Sequence, residues 1–379
     1  MASNNSKWIY TMSSNSRQKY IKNIIEILAV PVGWVVHLRY KKEYIDPLIW
    51  EKLSIRNKIA SNKKNSLHKM NCVLNYLYQL HTDGETRWKC IYPFRIGEIV
   101  DCYKTGDNDN DIAHFFIKAK NYVKYHPHGT FTEEIRKNIG NDKFGRYYIS
   151  MGEEFQKDCI ANIEESKSAF YEICEAIDVE NHFRSYDNKR YRPIFCYIEG
   201  LKNKKNTLIK PSYHSKIFKS FYKIDECEPY SLEYSFYFQN PQLINSSIEI
   251  YAEKEIFSTP EKAVEKIESR YDDLYYLLTS KILQRNRWTV LQFKTNAQSQ
   301  TISPGHPVNL DIQILINIKR KIIYRIFDVL SDIGFAIGTG AIMLKTAFGT
   351  NKMSWWYWPT GIGYLIWLIF KLIIKLWRG

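Results

Sequence analysis

The chain has 379 residues, which is room for two or three domains, and its formal net charge at pH 7 is +14. Its seven cysteines form no CxxC pair, which argues against a disulfide framework and a zinc site and is typical of a reducing cytoplasm. A chain this basic favours anionic partners, either nucleic acid or the headgroups of anionic lipids.

Aromatic residues make up 15% of the chain. Rings among basic side chains suit single-stranded nucleic acid, because bases stack on the rings while cations meet the phosphates. Two alternative causes of this composition stay open. Tyr-rich strands are simply good strands, and an AT-rich genome would enrich Lys, Asn, Ile and Tyr together.

Residues 1–125 are predicted to form a small, basic, β-barrel-like domain. Segments such as 33–40 (GWVVHLRY) and 94–103 (FRIGEIVDCY) are separated by polar turns, which is typical of a small barrel or sandwich. An OB-like or SH3-like barrel would fit this pattern. Residues 126–190 are predicted to be a helical linker, because 155–177 has apolar residues at helical spacing.

Residues 191–318 are predicted to be a second, sandwich-like β domain. Within it, 231–238 (SLEYSFYF) and 308–318 (VNLDIQILINI) alternate between apolar and polar side chains, as half-buried strands do. The last strand continues at residue 319 directly into an apolar stretch. Movement of this domain would therefore pull on whatever follows it.

Two apolar stretches, 322–344 and 355–376, predict a C-terminal transmembrane hairpin within residues 319–379, since a bilayer-spanning helix needs about 20 mostly apolar residues. The alternative is a single span at 355–376, with 322–344 lying in the interface as an amphipathic helix. Basic flanks and the lack of an N-terminal leader predict a multi-pass protein of the inner (cell) membrane with both termini cytoplasmic. The predicted fold class is therefore α+β: a mostly β cytoplasmic region, with a small barrel and a sandwich-like domain, followed by a transmembrane helical hairpin.

Four residues of the first apolar stretch are candidates for function. Gly334 and Gly338 form a GxxxG, which lets helices pack closely in lipid. Asp328 and Asp332 share one helix face, and in a homo-oligomer each would repeat as a ring at the mouth of a cation-selective pore. The alternative is that both carboxylates lie in the headgroup layer and are solvated.

Catalytic motifs are absent from the sequence, which contains no GxxxxGK[ST], GxGxxG, GxSxG or HExxH. We therefore expect no enzyme, no metal site and no cofactor. Basic residues on strands are better binding candidates than Lys-rich loops, because a strand holds them in place. We predict an oligonucleotide or nucleotide site in which cations meet phosphates and two rings stack on bases: Arg39, Lys41 and Arg95 with Trp34 and Tyr92.

In outline, a basic β-rich region followed by two C-terminal spans resembles the membrane effectors of bacterial anti-phage systems, and is most similar to the Hailong type. The resemblance covers the whole chain but rests on no specific motif, so it transfers no residue role. It implies a cytoplasmic sensor of an oligonucleotide or nucleotide signal from a partner nucleotidyltransferase, and a homo-oligomer, such as a tetramer, whose two-helix ion channel depolarises the membrane. The alternative is a membrane-anchored nucleic-acid-binding or scaffolding protein without a pore.

Overall fold

The chain is mostly β, with 47% strand and 27% helix. The computed structural model describes the following residues: 7–15, 18–55, 66–82, 85–106, 111–124, 128–179, 191–238, 244–269, 271–281, 283, 285–299, 306–348 and 357–378. The mostly β part of the predicted fold class is therefore present, and the helices are confined to a few segments.

Within the described residues, the N-terminal region is a six-stranded sheet with four α-helices. Its strands are β1 (Trp8–Asn15), β2 (Val35–Lys41), β3 (Asn71–Thr82), β4 (Glu85–Thr105), β5 (Ile112–Tyr122) and β6 (Ile149–Gly152). Its helices are α1 (Gln18–Ala29), α2 (Pro47–Lys52), α3 (His128–Ile139) and α4 (Ser166–Val179). The strand order is β2-β5-β4-β3-β1-β6, and β1 pairs with β3 in parallel. Residues 126–190, predicted as a helical linker, thus contribute β6 to the sheet as well as α3 and α4.

This sheet curls into a half-barrel whose two edge strands meet at one end. Just beyond β2, Ile45 forms a parallel bridge with Ile149 of β6, and the Asp46 N–H donates to the Ile149 carbonyl at 2.9 Å. Along the rest of β2 no strand of the described chain closes the barrel. The edge of β2 that faces away from β5 is therefore open beyond Val35, whose N–H donates to the Ser220 hydroxyl of the second region at 2.7 Å.

Helix α1 fills part of this open side because its apolar residues form one stripe. Ile21, Ile24, Ile25 and Leu28 recur at the three- and four-residue spacing of a helix face, and all four are fully buried. Burying each side chain contributes roughly 1.5–3 kcal/mol. This packing fixes α1 against β1 and against residues 195–203 of the second region, and its polar residues Tyr20 and Asn23 face the cleft described below.

The second region is built, in its described part, from eleven strands in three sheets. The strands are β7 (Tyr191–Pro193), β8 (Phe195–Asn203), β9 (Ser212–His214), β10 (Lys219–Asp225), β11 (Pro229–Tyr237), β12 (Ile244–Tyr251), β13 (Lys262–Lys266), β14 (Tyr271–Thr279), β15 (Arg287–Ser299), β16 (His306–Val308) and β17 (Asp311–Lys319). The sheet orders are β13-β12-β15-β17-β10-β9, β14-β11-β8 and β16-β7. In β17 the residues Ile312, Ile314, Ile316 and Ile318 are buried, so the predicted alternation corresponds to one core-facing side.

A buried carboxylate anchors the link between β17 and the C-terminal helices. Glu226 has no exposed surface, and it accepts hydrogen bonds from the backbone N–H of Leu283 at 2.9 Å and of Lys321 at 2.7 Å. Lys321 lies between β17 and helix α5 (Ile322–Phe348), which is followed by helix α6 (Tyr357–Arg378). Burial raises the pKa of Glu226 above its usual value, and the two backbone donors oppose this shift.

The predicted transmembrane hairpin is wrong, and with it the multi-pass inner-membrane localisation. No helix in the described part of the chain combines the length and the apolar content needed to cross a bilayer. The uncharged stretch of α5 runs only from 333 to 344, between Asp332 and Lys345, which is short of the about 20 residues a span needs. In α6, Lys371 and Lys375 interrupt the apolar pattern.

Helices α5 and α6 pack against each other at their glycines. A Cβ placed on Gly363 would lie 2.6 Å from the backbone nitrogen of Gly338 and 2.7 Å from the carbonyl oxygen of Gly334. Only hydrogen in place of a side chain allows this approach. Gly334 and Gly338, predicted as helix-packing residues, thus lie where the two helices of one chain come closest.

Candidate oligonucleotide-binding cleft

Strand β2 presents alternate side chains to the core and to the outer face of the half-barrel, the face that also carries Phe116 and His114 of β5. Leu38 and Tyr40 are buried at 7% and 8% exposure, whereas His37, Arg39 and Lys41 are exposed. Successive side chains of a strand point to opposite faces, so these three share one face. The alternating segment 33–40 and the residue that follows it therefore deliver a row of two cations and one imidazole to the surface.

This row lines a cleft of about 450 Å³. One wall is β2, and the facing wall combines the end of β1 with the first turns of α1. The described lining residues are Met12, Ser13, Ser14, Asn15, Tyr20, Asn23, His37, Leu38, Arg39, Tyr40, Lys41, Tyr44 and Tyr148. They include two cations, several polar groups and no carboxylate, so the cleft favours an anion over a cation.

The cations at this end of the sheet differ in their partners. Lys42 is paired with Asp111, with 3.3 Å between Nζ and Oδ2, and it lies over the Trp50 ring. In contrast, Arg39 and Lys41 form no ion pair within the part of the chain that the structure describes. Their charges are therefore available to a ligand, because no carboxylate of the described residues neutralises them.

Two tyrosines form a stacked pair at the Lys41 end of the cleft. The rings of Tyr44 and Tyr148 are 4.9 Å apart between centroids and 12° from parallel. The Tyr148 N–H donates to the Tyr44 carbonyl at 2.7 Å, which holds the two backbones together. Tyr44 is 38% exposed. A rigid, partly exposed ring pair beside a cation is the arrangement on which a planar base stacks.

The facing wall is held by hydrogen bonds of its own. The Asn23 side-chain amide donates to the Ser13 carbonyl at 3.4 Å, and the Ser13 hydroxyl donates to the Asn75 carbonyl at 3.1 Å. The pairing of β1 with β3 shifts between Met12 and Ser14, as in a β-bulge. Bulges commonly re-aim side chains next to binding sites, and this one leaves Ser14 and Asn15 lining the cleft.

A second cleft of about 320 Å³ adjoins the first and shares Asn23, His37 and Leu38 with it. Its charged lining residues are the carboxylates of Glu26 and Asp311. Burial raises the pKa of Glu26, the ion pair with Lys22 opposes this, and the Asp311 charge adds to it. An anion is therefore favoured in the first cleft and disfavoured in the second.

Arg95, which the sequence placed among the phosphate ligands, is enclosed in the core. It has no exposed surface, and its Nη1 donates to the carbonyls of Ile27 at 2.5 Å and Val30 at 2.7 Å, while Nε donates to Lys120 at 3.0 Å. The guanidinium lies 4.5 Å from the centre of the Tyr122 ring. Burial lowers its pKa. The side chain satisfies the carbonyls at the end of α1, so we do not assign it to the cleft.

The two predicted stacking residues are also buried, each at 7% exposure. Trp34 packs on Tyr222 with centroids 5.5 Å apart and lines the second cleft, whereas Tyr92 lies near Tyr76 in the core. Of the predicted pore residues, Asp332 is exposed on α5, and the side chain of Asp328 lies outside the described residues.

Of the predicted ligand-binding residues, Arg39 and Lys41 line the cleft, whereas Tyr44, Tyr148 and Asn23 also line it and were not predicted. Tyr44 follows Lys41 by three residues and could have been found by extending the strand. Tyr148 comes from the residue before β6 and Asn23 from α1, and their arrival at the cleft depends on the curl of the sheet. No family model matches the chain, and no curated protein is significantly similar to it, so the resemblance to a Hailong-type effector stays a prediction.

Proposed function

We propose that this protein binds a nucleotide or a single-stranded oligonucleotide in the cleft along β2, and that the half-barrel serves as its sensor. The observation that supports this most is the combination of Arg39 and Lys41, which have no ion-pair partner in the described chain, with the stacked rings of Tyr44 and Tyr148. The Arg39 guanidinium and the Lys41 ammonium group would bind the phosphates, and a base would stack on the tyrosine rings.

The cleft favours this ligand over a plain anion for two reasons. A small anion would use the cations alone, whereas the exposed aromatic surface contributes binding energy only to a ligand with a planar group. The neighbouring carboxylates, Glu26 and Asp311, also limit how far negative charge can extend past His37. A ligand with phosphates at one position and a base at the next matches both features.

The pore-forming module expected from the sequence needs two membrane spans and is not part of this proposal. The proposed function concerns the cleft alone, and it assigns no pore to α5 and α6, which form a helical hairpin after β17. A role in anti-phage defence stays a prediction of the resemblance alone.

The test is fluorescence anisotropy of a labelled short oligothymidylate with the full chain. Replacing Arg39 and Lys41 together by Ala should weaken binding roughly tenfold or more, since each charge-assisted hydrogen bond contributes about 1.5–3 kcal/mol before solvent screening. The slope of log affinity against log salt should also become shallower by about 0.7 for each phosphate that the variant no longer neutralises.

The matched control removes two lysines that are exposed in the second region, Lys254→Ala with Lys266→Ala. It changes net charge by the same amount but leaves the cleft intact, so affinity should stay within about twofold. Equal losses in both double variants would show a diffuse charge effect and contradict the proposed site. Binding that is unchanged in both would contradict it as well.

A further inference from the structure

His37 lies at the end of the cleft opposite the tyrosine pair, and its ring is held unusually well for an exposed side chain. It stacks on Phe116 with centroids 4.4 Å apart and planes 4° from parallel. Its Nε2 is 3.0 Å from Nδ1 of His114, whose Nε2 is in turn 3.0 Å from the Thr105 hydroxyl. An exposed ring fixed in this way loses little conformational entropy when a ligand stacks on it.

The layer beneath His37 is a set of nearly parallel rings on the outer face of β4 and β5. Tyr103 stacks on His114 at 4.7 Å and 18°, and Phe218 stacks on Phe116 at 4.6 Å and 23°. Phe116 and Tyr103 are buried at 2% and 4% exposure. The imidazole is therefore the outermost member of a packed aromatic layer, with rigid support on its inner side.

The spacing along β2 connects this ring with the cations. His37, Arg39 and Lys41 are two residues apart on one face, so their Cα atoms follow each other at roughly 6.8 Å and span roughly 14 Å. An extended nucleic acid strand running along β2 would meet a ring, two cations and then the tyrosine pair in that order. A single nucleotide is too short to reach both ring systems.

We infer that the His37 ring, backed by Phe116 and His114, is a second base-stacking subsite, and that the ligand of the cleft is a single strand of more than one nucleotide. This inference rests on the proposed function. It adds a minimum length for the ligand, which must reach from the tyrosine pair to His37. The pKa of His37 is lowered to about 4 by burial and by the neighbouring His114 and Arg39 charges, so at neutral pH the ring is uncharged.

The experiment is an affinity series with dTMP and the di-, tri- and tetrathymidylates, measured by calorimetry on the full chain. In the unmodified protein affinity should rise by roughly 5- to 150-fold once the ligand reaches His37, since stacking of one base contributes about 1–3 kcal/mol. His37→Ala should remove this rise, so that the di-, tri- and tetrathymidylates bind this variant with about equal affinity. His37→Phe should restore the rise, because it keeps a stacking ring.

The outcomes separate the two claims. Binding of dTMP with no gain from added nucleotides, or an equal gain in His37→Ala, would overturn the second subsite and leave the proposed cleft in place. No binding of any member of the series would overturn the proposed function itself. Thermal unfolding of each variant shows that it is folded at the temperature of the measurement.

Discussion

Two arginines on neighbouring parts of the half-barrel show how differently one residue type is used. Arg39 stands on the open edge strand, exposed and without an ion pair in the described part of the chain. Arg95 lies in the core, where its guanidinium donates to backbone carbonyls at the end of α1 and covers the Tyr122 ring. The first is available to a ligand, and the second is part of the scaffold that positions the wall of the cleft.

A basic residue on a strand can be assigned to a ligand only when the face of the strand on which it lies is known. Burying a guanidinium costs several kcal/mol unless donors and acceptors are matched. At Arg95 the carbonyls left unpaired by the end of a helix accept from Nη1, and the negative end of the helix dipole adds to them, whereas Nη2 has no hydrogen-bond partner among the described residues. At Arg39 no such partner is present in the described chain, so its charge faces solvent.

The largest expected effect is on stability and comes from Arg95→Met. Removing the guanidinium leaves the carbonyls of Ile27, Val30 and Lys120 without their donors. The cost of these unpaired carbonyls exceeds the desolvation cost that is saved when no charge is buried. We expect the free energy of unfolding to fall by about 3–5 kcal/mol, measured by urea denaturation. Arg39→Met is the matched control and should stay within about 0.5 kcal/mol. Equal losses of stability at the two positions would contradict the assignment of Arg95 to the scaffold and of Arg39 to the ligand site.

A second matched pair tests the same contrast between packed and open positions, in the helical hairpin. In Gly363→Ala the new methyl group would meet backbone atoms of Gly334 and Gly338, and overpacking of this kind costs about 1–3 kcal/mol. Gly361, two residues earlier on α6, has nothing within 4 Å of the position that a methyl group would take, so Gly361→Ala should be neutral or stabilise by up to about 1 kcal/mol. Thermal unfolding of the two variants makes the comparison, and a hairpin that tolerates both would contradict the close approach.

The smallest expected effect is the pH dependence that His37 gives to the free energy of unfolding. Its exposed ring packs on the buried ring of Phe116. Its folded-state pKa, lowered from 6.5 to about 4, means that the unfolded chain binds the proton more tightly. Stability should therefore fall as pH decreases from 6.5 towards 4, and the loss should be complete below that window. His37→Phe should flatten this part of the profile, measured as the urea midpoint at about pH 7 and about pH 5. A steeper profile in the variant would contradict the sign.

The sequence predicted the local parts of this molecule better than the way they meet. The segment 33–40 was predicted as a strand, and the structure shows that its alternation continues to Lys41 and leaves Arg39 and Lys41 on one exposed face. The same reasoning failed at Arg95, where the pairing of β4 with β5 shifts between Arg95 and Gly97 and the end of α1 supplies acceptors from far along the chain. Such acceptors depend on tertiary structure and leave no local pattern.

The C-terminal helices show the opposite error. Apolar content predicts their existence and approximate ends, but the transmembrane assignment was wrong because the charges and polar residues within them matter as much as the aliphatic ones. Tyr148 illustrates a third limit. Its stacking on Tyr44 follows from the meeting of two sheet edges, which no spacing in the sequence encodes.

The most direct test of the cleft is photo-crosslinking of the full chain to a short oligothymidylate that carries 5-iodouracil, followed by mass spectrometric mapping of the crosslinked residue. Aromatic rings that stack on the base are the expected acceptors. We expect crosslinks at Tyr44, Tyr148 or His37, and we expect them to disappear in the Arg39→Ala, Lys41→Ala double variant. Crosslinks confined to the second β region, for example to Tyr275 on β14, and unchanged in that variant, would contradict this expectation.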